Sequence, residues 1–293
     1  MNDSITAVPG VRAGHWTDSE AHTGVTAVLT PGGARGAVFV PGSAPGTREL
    51  ALLSPRHLAR EVHGICLSGG SAFGLSAADG VMAALAERDI GFPTMAGGPV
   101  PLVPAAILFD LHTATARPGP AGGRAAAEAA LDVGGPLGAG RVGAGAGAMV
   151  GGLWGTPHRG GVGGAAERVG GWTVGVVVAL NAAGTIRDPE TGAWRTGPPT
   201  PRGAPSLGEA TTLAVVATDA PLSQGQLQTV ARMASAGMAR AIVPAFTPFD
   251  GDIVFALSTG DGDAPEAPTV AAVGHAAAEL IVRAVVSAVG ARI

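Results

Sequence analysis

A threonine pair, Thr211-Thr212, stands where a Pro/Gly-rich stretch gives way to the β-branched run Leu213-Ala214-Val215-Val216-Ala217-Thr218. A hydroxyl held at the mouth of a buried strand is well placed for a nucleophile. Were the chain cut before Thr211, that residue would also gain a free α-amino group. An α-amine ordinarily titrates at about 7.7–8.0, so it can take the hydroxyl proton near neutral pH. One residue then supplies nucleophile and base. The same pair also suits a plain strand start, because β-branched residues favour strands, and spacing alone leaves both readings open.

Two further groups could serve such a nucleophile. Asp250-Gly251-Asp252 immediately precedes Ile253-Val254-Phe255-Ala256-Leu257. A spacing of two puts both carboxylates on the same side of an extended chain. They could orient an ammonium or pass protons, and two like charges close together raise one pKa. An acidic turn or a loose cation site fits the same pattern. Asn181 closes the apolar run Trp172–Leu180 ahead of Ala182-Ala183-Gly184. Its amide could donate to an oxyanion or simply make a turn.

Other motifs carry less. Gly143-Ala144-Gly145-Ala146-Gly147-Ala148 matches G-x-G-x-x-A, but a dinucleotide fingerprint needs a strand before it, and 131–141 is broken by glycine. Gly69-Gly70-Ser71-Ala72-Phe73-Gly74 is close to a nucleophile elbow, yet Phe73 occupies the position that G-x-S-x-G reserves for glycine. Ser71 is therefore expected to cap a helix, with a serine hydrolase built on Ser71 as the rival. The seven histidines show no metal spacing; His63 falls in a strand, His275 in a helix, and neither a metal nor an organic cofactor is expected. Cys66, the only cysteine, reads as a small buried hydrophobe. Arg48-Glu49 reads as surface or subunit contact.

The elements that must position these groups follow from composition and periodicity. The 293 residues suit a single domain, 46% hydrophobic and only 14% charged, with 48 glycines. Such a chain can bury a large core and keep some apolar surface for subunit contacts. Every basic residue is arginine; lysine and tyrosine are absent. A net charge of −4 without a basic run argues against nucleic acid. The N-terminus has no charged segment leading into an apolar one, and glycine interrupts the apolar runs, so the expectation is a cytoplasmic protein away from the membrane. Strands are predicted at 24–30, 34–40, 62–67, 172–180, 212–217 and 253–258, with Pro31-Gly32-Gly33 separating the first two. Helices are predicted from Ser71 to about 88, over 121–131, from a Ser223/Gln226 capping box to about 243, and over 270–289. The stretch 134–164 is too glycine-rich to assign, and 184–210 reads as an exposed loop. Strands and helices without regular βαβ alternation suggest sheets packed between helices.

Taken jointly, several segments resemble the DmpA-type family of L-aminopeptidase/D-esterase-amidases, β-aminopeptidases and nylon-oligomer hydrolases. They are Pro9–His15, Gly69–Leu75, Val103–Ile107, Arg141–Gly145, Thr211–Asp219 and Thr247–Asp252. The resemblance spans nearly the whole chain. It implies an α/β fold, a four-layer α/β/β/α sandwich like that of N-terminal-nucleophile hydrolases. It implies self-cleavage between Ala210 and Thr211 into 1–210 and 211–293, with Thr211 as nucleophile, Asn181 in the oxyanion hole and Asp250 and Asp252 beside the nucleophile. The expected substrates are small peptides, amides or esters, and the expected assembly is a homotetramer of processed pairs. Three departures stand out: Ala210 where the family commonly has Asn, Gly152 where relatives often carry Lys, and no tyrosine for the branches that place one in the oxyanion hole. These losses raise an alternative, a catalytically silent member that binds a small molecule or plays a structural role.

Overall fold

Strict alternation along the β-branched runs decides which residues face which layer. The computed structural model describes residues 2–57, 61–95, 97–154, 157–199 and 210–290. Its main strands are β1 (Arg12–Asp18), β2 (Thr23–Phe39), β3 (Thr47–Arg48), β4 (Glu61–Ser68), β5 (Ala105–Ile107), β6 (Gly161–Val169), β7 (Trp172–Asn181), β8 (Thr211–Thr218) and β9 (Ile253–Ser258). The α-helices are α1 (Ala77–Ala86), α2 (Pro120–Glu128), α3 (Gln224–Ala241) and α4 (Ala267–Ala288). The strands hydrogen-bond in the order β3-β5-β4-β2-β9-β8-β7-β6, and β1 pairs with β2. β8/β9 and β4/β5 are parallel and the other pairs antiparallel.

One face of β7, β8 and β9 carries Val176, Val178, Ala214, Val216, Val254 and Ala256, which pack with α3 and α4. The other face of the same strands carries Val177, Ala179, Leu213, Val215, Phe255 and Leu257, which pack with Val28, Ile65 and Leu67 of β2 and β4. Val25, Ala27, Leu29 and Cys66 face away from that middle core onto α1 and α2. The hydrogen-bonded sheet thus doubles over on itself, giving α/β/β/α layers with β2 shared by both halves.

β2 is where reading the sequence alone divides a continuous element. Pro31-Gly32-Gly33 does not end the strand; it sits in a register irregularity between Leu29 and Ala34. A bulge tolerates the missing N–H of proline and the positive φ of Gly33 (81°) while bending the strand. Ala27 and Leu29 before the bend face α1 and α2, whereas Ala37 beyond it faces α3 and α4. β6 escapes sequence analysis because Gly161, Gly163 and Gly164 erase its apolar alternation. A Cβ on Gly163 would collide with the Ala284 carbonyl of α4, so glycine there is what lets the helix lie on the strand.

The helix expected from Ser71 begins later. Residues Ser71–Ser76 form a 3-10 turn and α1 starts at Ala77. Ser71 has φ +53° and its side chain caps nothing, which corrects the capping role expected for it. The capping box of α3 is present: Gln226 N donates to Ser223 Oγ (3.3 Å) and Ser223 N to Gln226 Oε1 (2.9 Å). α4 is apolar and long enough to cross a membrane by length and composition, but one face of it, with Val273, Ala277, Leu280, Ile281, Ala284 and Val285, is buried against α3 and the sheet. Thr200–Glu209, within the loop expected over 184–210, lie outside the described residues. Ahead of them Thr185–Ile186 pairs with Ile242–Val243.

α1 and α2 meet through reciprocal glycines: a Cβ on Gly80 would strike the Pro120 carbonyl, and one on Gly123 the Ala77 carbonyl. Gly80→Ala and Gly123→Ala should each destabilise by about 1–3 kcal/mol through overpacking, despite alanine's better helix propensity. Urea denaturation monitored by circular dichroism checks this; an unchanged midpoint would contradict the close packing.

Candidate active site

β8 enters the sheet at Thr211, paired with Asn181 at the end of antiparallel β7. Just before it, Ala210 bridges Asp250 in parallel register. Ala210 N donates to the Phe249 carbonyl (3.3 Å), and Gly251 N donates to the Ala210 carbonyl (2.9 Å). Thr211 Oγ1 also donates to that carbonyl oxygen, at 2.6 Å. The carbonyl preceding Thr211 is therefore gripped by a main-chain N–H while the Thr211 hydroxyl lies against it. Gly251 makes room for this, since a Cβ there would stand 2.8 Å from Thr211 Oγ1.

Thr211 is only 3% exposed in the uncut chain, yet it borders a cavity of about 240 Å³ shared with Ser71, Ile107, Phe109, Ala210 and Phe249. No charged side chain lines that cavity among the described residues. A larger cleft of about 530 Å³, near Val8, Arg12 and Gly134, contains none of these groups.

Asn181 is held at both ends of its amide. Its Oδ1 accepts from Met149 N (2.8 Å), and its Nδ2 donates to the Phe109 carbonyl (2.9 Å). A carboxamide has two N–H bonds, and the Phe109 carbonyl takes one of them.

Asp250 and Asp252 are both buried. Asp250 accepts from Ala183 N (3.2 Å), Thr247 N (2.8 Å) and Thr247 Oγ1 (2.5 Å). Asp252 accepts from Thr212 N (2.6 Å). Burial, and then the charge of Asp250, push the Asp252 carboxyl up to about 7, against the opposing pull of its hydrogen bonds from Thr212 and Phe246. Near neutral pH this carboxyl can hold or release a proton. Neither carboxylate bonds Thr211 directly in the uncut chain; Asp252 reaches it through the neighbouring Thr212 amide.

The remaining candidates disperse. Ser71 reaches the cavity, but no histidine or carboxylate hydrogen-bonds its hydroxyl among the described residues, so the rival serine chemistry has no base there. His63 Nδ1 accepts from Leu102 N (3.2 Å); His275 lies on the surface of α4, 4.0 Å from Glu279. Cys66 is buried, its thiol pushed up to about 12 by burial. Arg48 pairs with Asp79 at 2.6 Å. No group of three or more His, Cys, Asp or Glu able to hold a metal occurs among the described residues. At Gly152 a Cβ would meet no atom within 4 Å among the described residues. Sequence reasoning missed the Gly251 N–H, the Phe109 carbonyl and Thr247. Only Thr247, three residues before Asp250, left a local signal, that of a side-chain-closed turn.

The sequence profile described as peptidase family S58 matches residues 3–292. An uncharacterised aminopeptidase of Mycobacterium leprae is 42% identical, covering 98% of this chain and 90% of its own length. A 6-aminohexanoate-oligomer endohydrolase of Kocuria sp. is 33% identical, covering 89% of this chain and 76% of its own. Among solved structures, the L-aminopeptidase D-Ala-esterase/amidase of Ochrobactrum anthropi, described as a variant of the Ntn hydrolase fold, superimposes with a TM-score of 0.76 at 22% identity (98% of this chain, 85% of that one). A Burkholderia sp. β-aminopeptidase gives 0.72 at 26% identity, over 98% and 86% of the two chains.

Keeping Asp252 ionised in this buried setting costs stability. An exposed aspartate releases its proton at about 3.9, whereas the folded chain holds it up to about 7. The stabilisation from this proton is complete below about pH 4 and is lost as pH rises through 7. Asp252→Asn, compared with its parent in a Thr211→Ala background so that chain state is equal, should raise Tm at pH 8 and lose that advantage at pH 4. Scanning calorimetry at the two pH values checks it; an advantage independent of pH would contradict the raised pKa.

Proposed function

The chain belongs to peptidase family S58, and from that premise we propose that it is an N-terminal nucleophile hydrolase that cuts itself before Thr211 and then hydrolyses small peptides, amides or esters. The observation that carries this reading is the Ala210 carbonyl, gripped by Gly251 N–H with the Thr211 hydroxyl 2.6 Å from its oxygen. In self-cleavage, Thr211 Oγ1 attacks the Ala210 carbonyl carbon while Gly251 N–H steadies the charge growing on the oxygen. The C–N bond breaks, the Thr211 nitrogen takes up the proton, and the acyl group rests on Oγ1 as an ester. Water opens the ester, leaving the Ala210 carboxylate and a free Thr211 amine.

In turnover that amine accepts the hydroxyl proton as Oγ1 attacks the substrate carbonyl. The spare N–H of Asn181 stabilises the oxyanion. The leaving amine or alcohol departs with a proton, and water then releases the acyl group from Oγ1. Asp250 beside Ala210 and Asp252 on the Thr212 amide flank the nucleophile, and a carboxylate in its ionised form there favours the ammonium that arises when the amine takes the proton. The cavity of about 240 Å³, with its mostly apolar walls, suits a small acyl group. Names of relatives, such as aminopeptidase and 6-aminohexanoate-oligomer endohydrolase, support amide substrates of this size. Low charge content and the exposed Phe73, Met95 and Val133 support assembly into an oligomer, read here as a tetramer of processed pairs.

One observation favours a second reading, a silent member that binds without turnover: lysine is absent from the whole chain, and glycine stands at 152. Failure of an amide or ester probe to acylate the purified protein would support it.

Intact mass and denaturing electrophoresis test the main reading. The parent should separate into 1–210 and 211–293, while Thr211→Ala stays a single 28.5 kDa chain without activity on a panel of aminoacyl p-nitroanilides. Asn181→Ala should slow turnover by about 10²–10³. Uncut parent protein with full amidase activity would overturn the mechanism.

A further inference from the structure

Asp110 is buried, 2% exposed, and stands just past the end of β5, where no strand or helix holds the backbone. Its carboxylate is tied to two rigid elements. Oδ2 accepts from Thr23 Oγ1 at the start of β2 (2.7 Å), and Oδ1 accepts from Gly70 N in the turn after β4 (2.7 Å). Gly69 is bare where it must be, because a Cβ there would press on the Asp110 carboxylate and Thr23 Oγ1. Burial raises the Asp110 pKa, and these two hydrogen bonds oppose it by favouring the ionised carboxylate. They set the orientation of the 109–110 peptide, whose Phe109 carbonyl receives Asn181 Nδ2.

The main chain of Asp110 extends the same device to the other end of the Asn181 amide. Its carbonyl accepts from Thr113 N (2.9 Å). Thr113 Oγ1 donates to the Gly147 carbonyl (2.5 Å). Two residues on, Met149 N donates to Asn181 Oδ1 (2.8 Å). The bonds close a ring from Asn181 through Phe109, Asp110, Thr113, Gly147 and Met149 back to Asn181. Gly147 allows the ring to close, since a Cβ there would lie 3.0 Å from both Asp110 Cβ and Thr113 Oγ1.

We propose that Asp110 is a positioning residue for the reaction, holding the Asn181 carboxamide so that its spare N–H meets the oxyanion at Thr211. This rests on the reading of Asn181 as the oxyanion donor. The mechanism leaves Asp110 no proton to transfer and no substrate to touch; it acts on the rate through the geometry of one amide.

A double-mutant cycle between Asp110 and Asn181 separates positioning from mere structural support. Self-cleavage is followed by time-resolved intact mass. Turnover is measured on the best p-nitroanilide of the panel and normalised to processed Thr211 termini. Asp110→Asn should lower kcat by about 10-fold or more, a share of the loss expected for removing the donor itself, with KM within about twofold. In an Asn181→Ala background the same change should alter kcat by less than about twofold, because there is no amide left to aim. Equal losses in both backgrounds would overturn the proposal, leaving Asp110 a stabilising residue only. No loss from Asn181→Ala alone would instead overturn the oxyanion reading beneath it, a separate outcome. Should Asp110→Asn fail to fold, Thr113→Val breaks the ring on its Gly147 side and goes through the same cycle, with the same two results deciding.

Discussion

The register in which β8 lies between β7 and β9 is the constraint on which the site depends. Thr211 shares its parity with Leu213, Val215 and Ala217, which face the core between the two sheet halves, whereas Thr212 shares that of Ala214 and Val216, which face α3 and α4. Side chains alternate with a period of two, so a slip by one residue would turn the whole set over. Burial on both faces forbids that slip. The same register sets Thr211 opposite Asn181 and brings the residue before it alongside Asp250. Thr211, Asn181 and the two carboxylates are thus delivered by three neighbouring strand ends, with a pairing energy spread over the whole sheet.

Small residues turn that register into chemistry. Gly251 leaves space for the Thr211 hydroxyl and offers its N–H to the Ala210 carbonyl; Gly69 and Gly147 let the chain crowd around Asp110. Each is a close backbone approach that any side chain would block, which is one physical reason for so high a glycine content.

The site also stores unfavourable features that the rest of the fold sustains. Ser71 holds a left-handed backbone at the cavity wall, and Asp252 is kept in a setting that resists its ionisation. Such strain persists where surrounding structure over-determines it, and it concentrates at functional sites. Here the surroundings are three apolar cores, each continuous across its layer.

Local pattern alone made β7, β8, β9 and the α3 capping box legible, because uninterrupted β-branched runs and a Ser-x-x-Gln spacing act over a few residues. β1, β5 and β6 were not legible, since short length or glycine removes the alternation that marks a strand. Thr211, Asn181, Asp250 and Asp252 could each be singled out as residues of the right chemical type at the ends of apolar runs, but for every one local spacing favoured a plain structural reading, and resemblance to a family supplied their roles. What the chain determined by itself is which segments are apolar enough to be strands and where each one stops. Only the tertiary structure decided that the ends at 181, 211 and 250 meet, that Gly251 faces the Ala210 carbonyl, and that Asp110, eighty-seven positions from Thr23, joins a hydrogen-bonded ring with Asn181. Those contacts are long-range pairings, and their energies come from burial and register, neither of which is written in any short stretch of sequence.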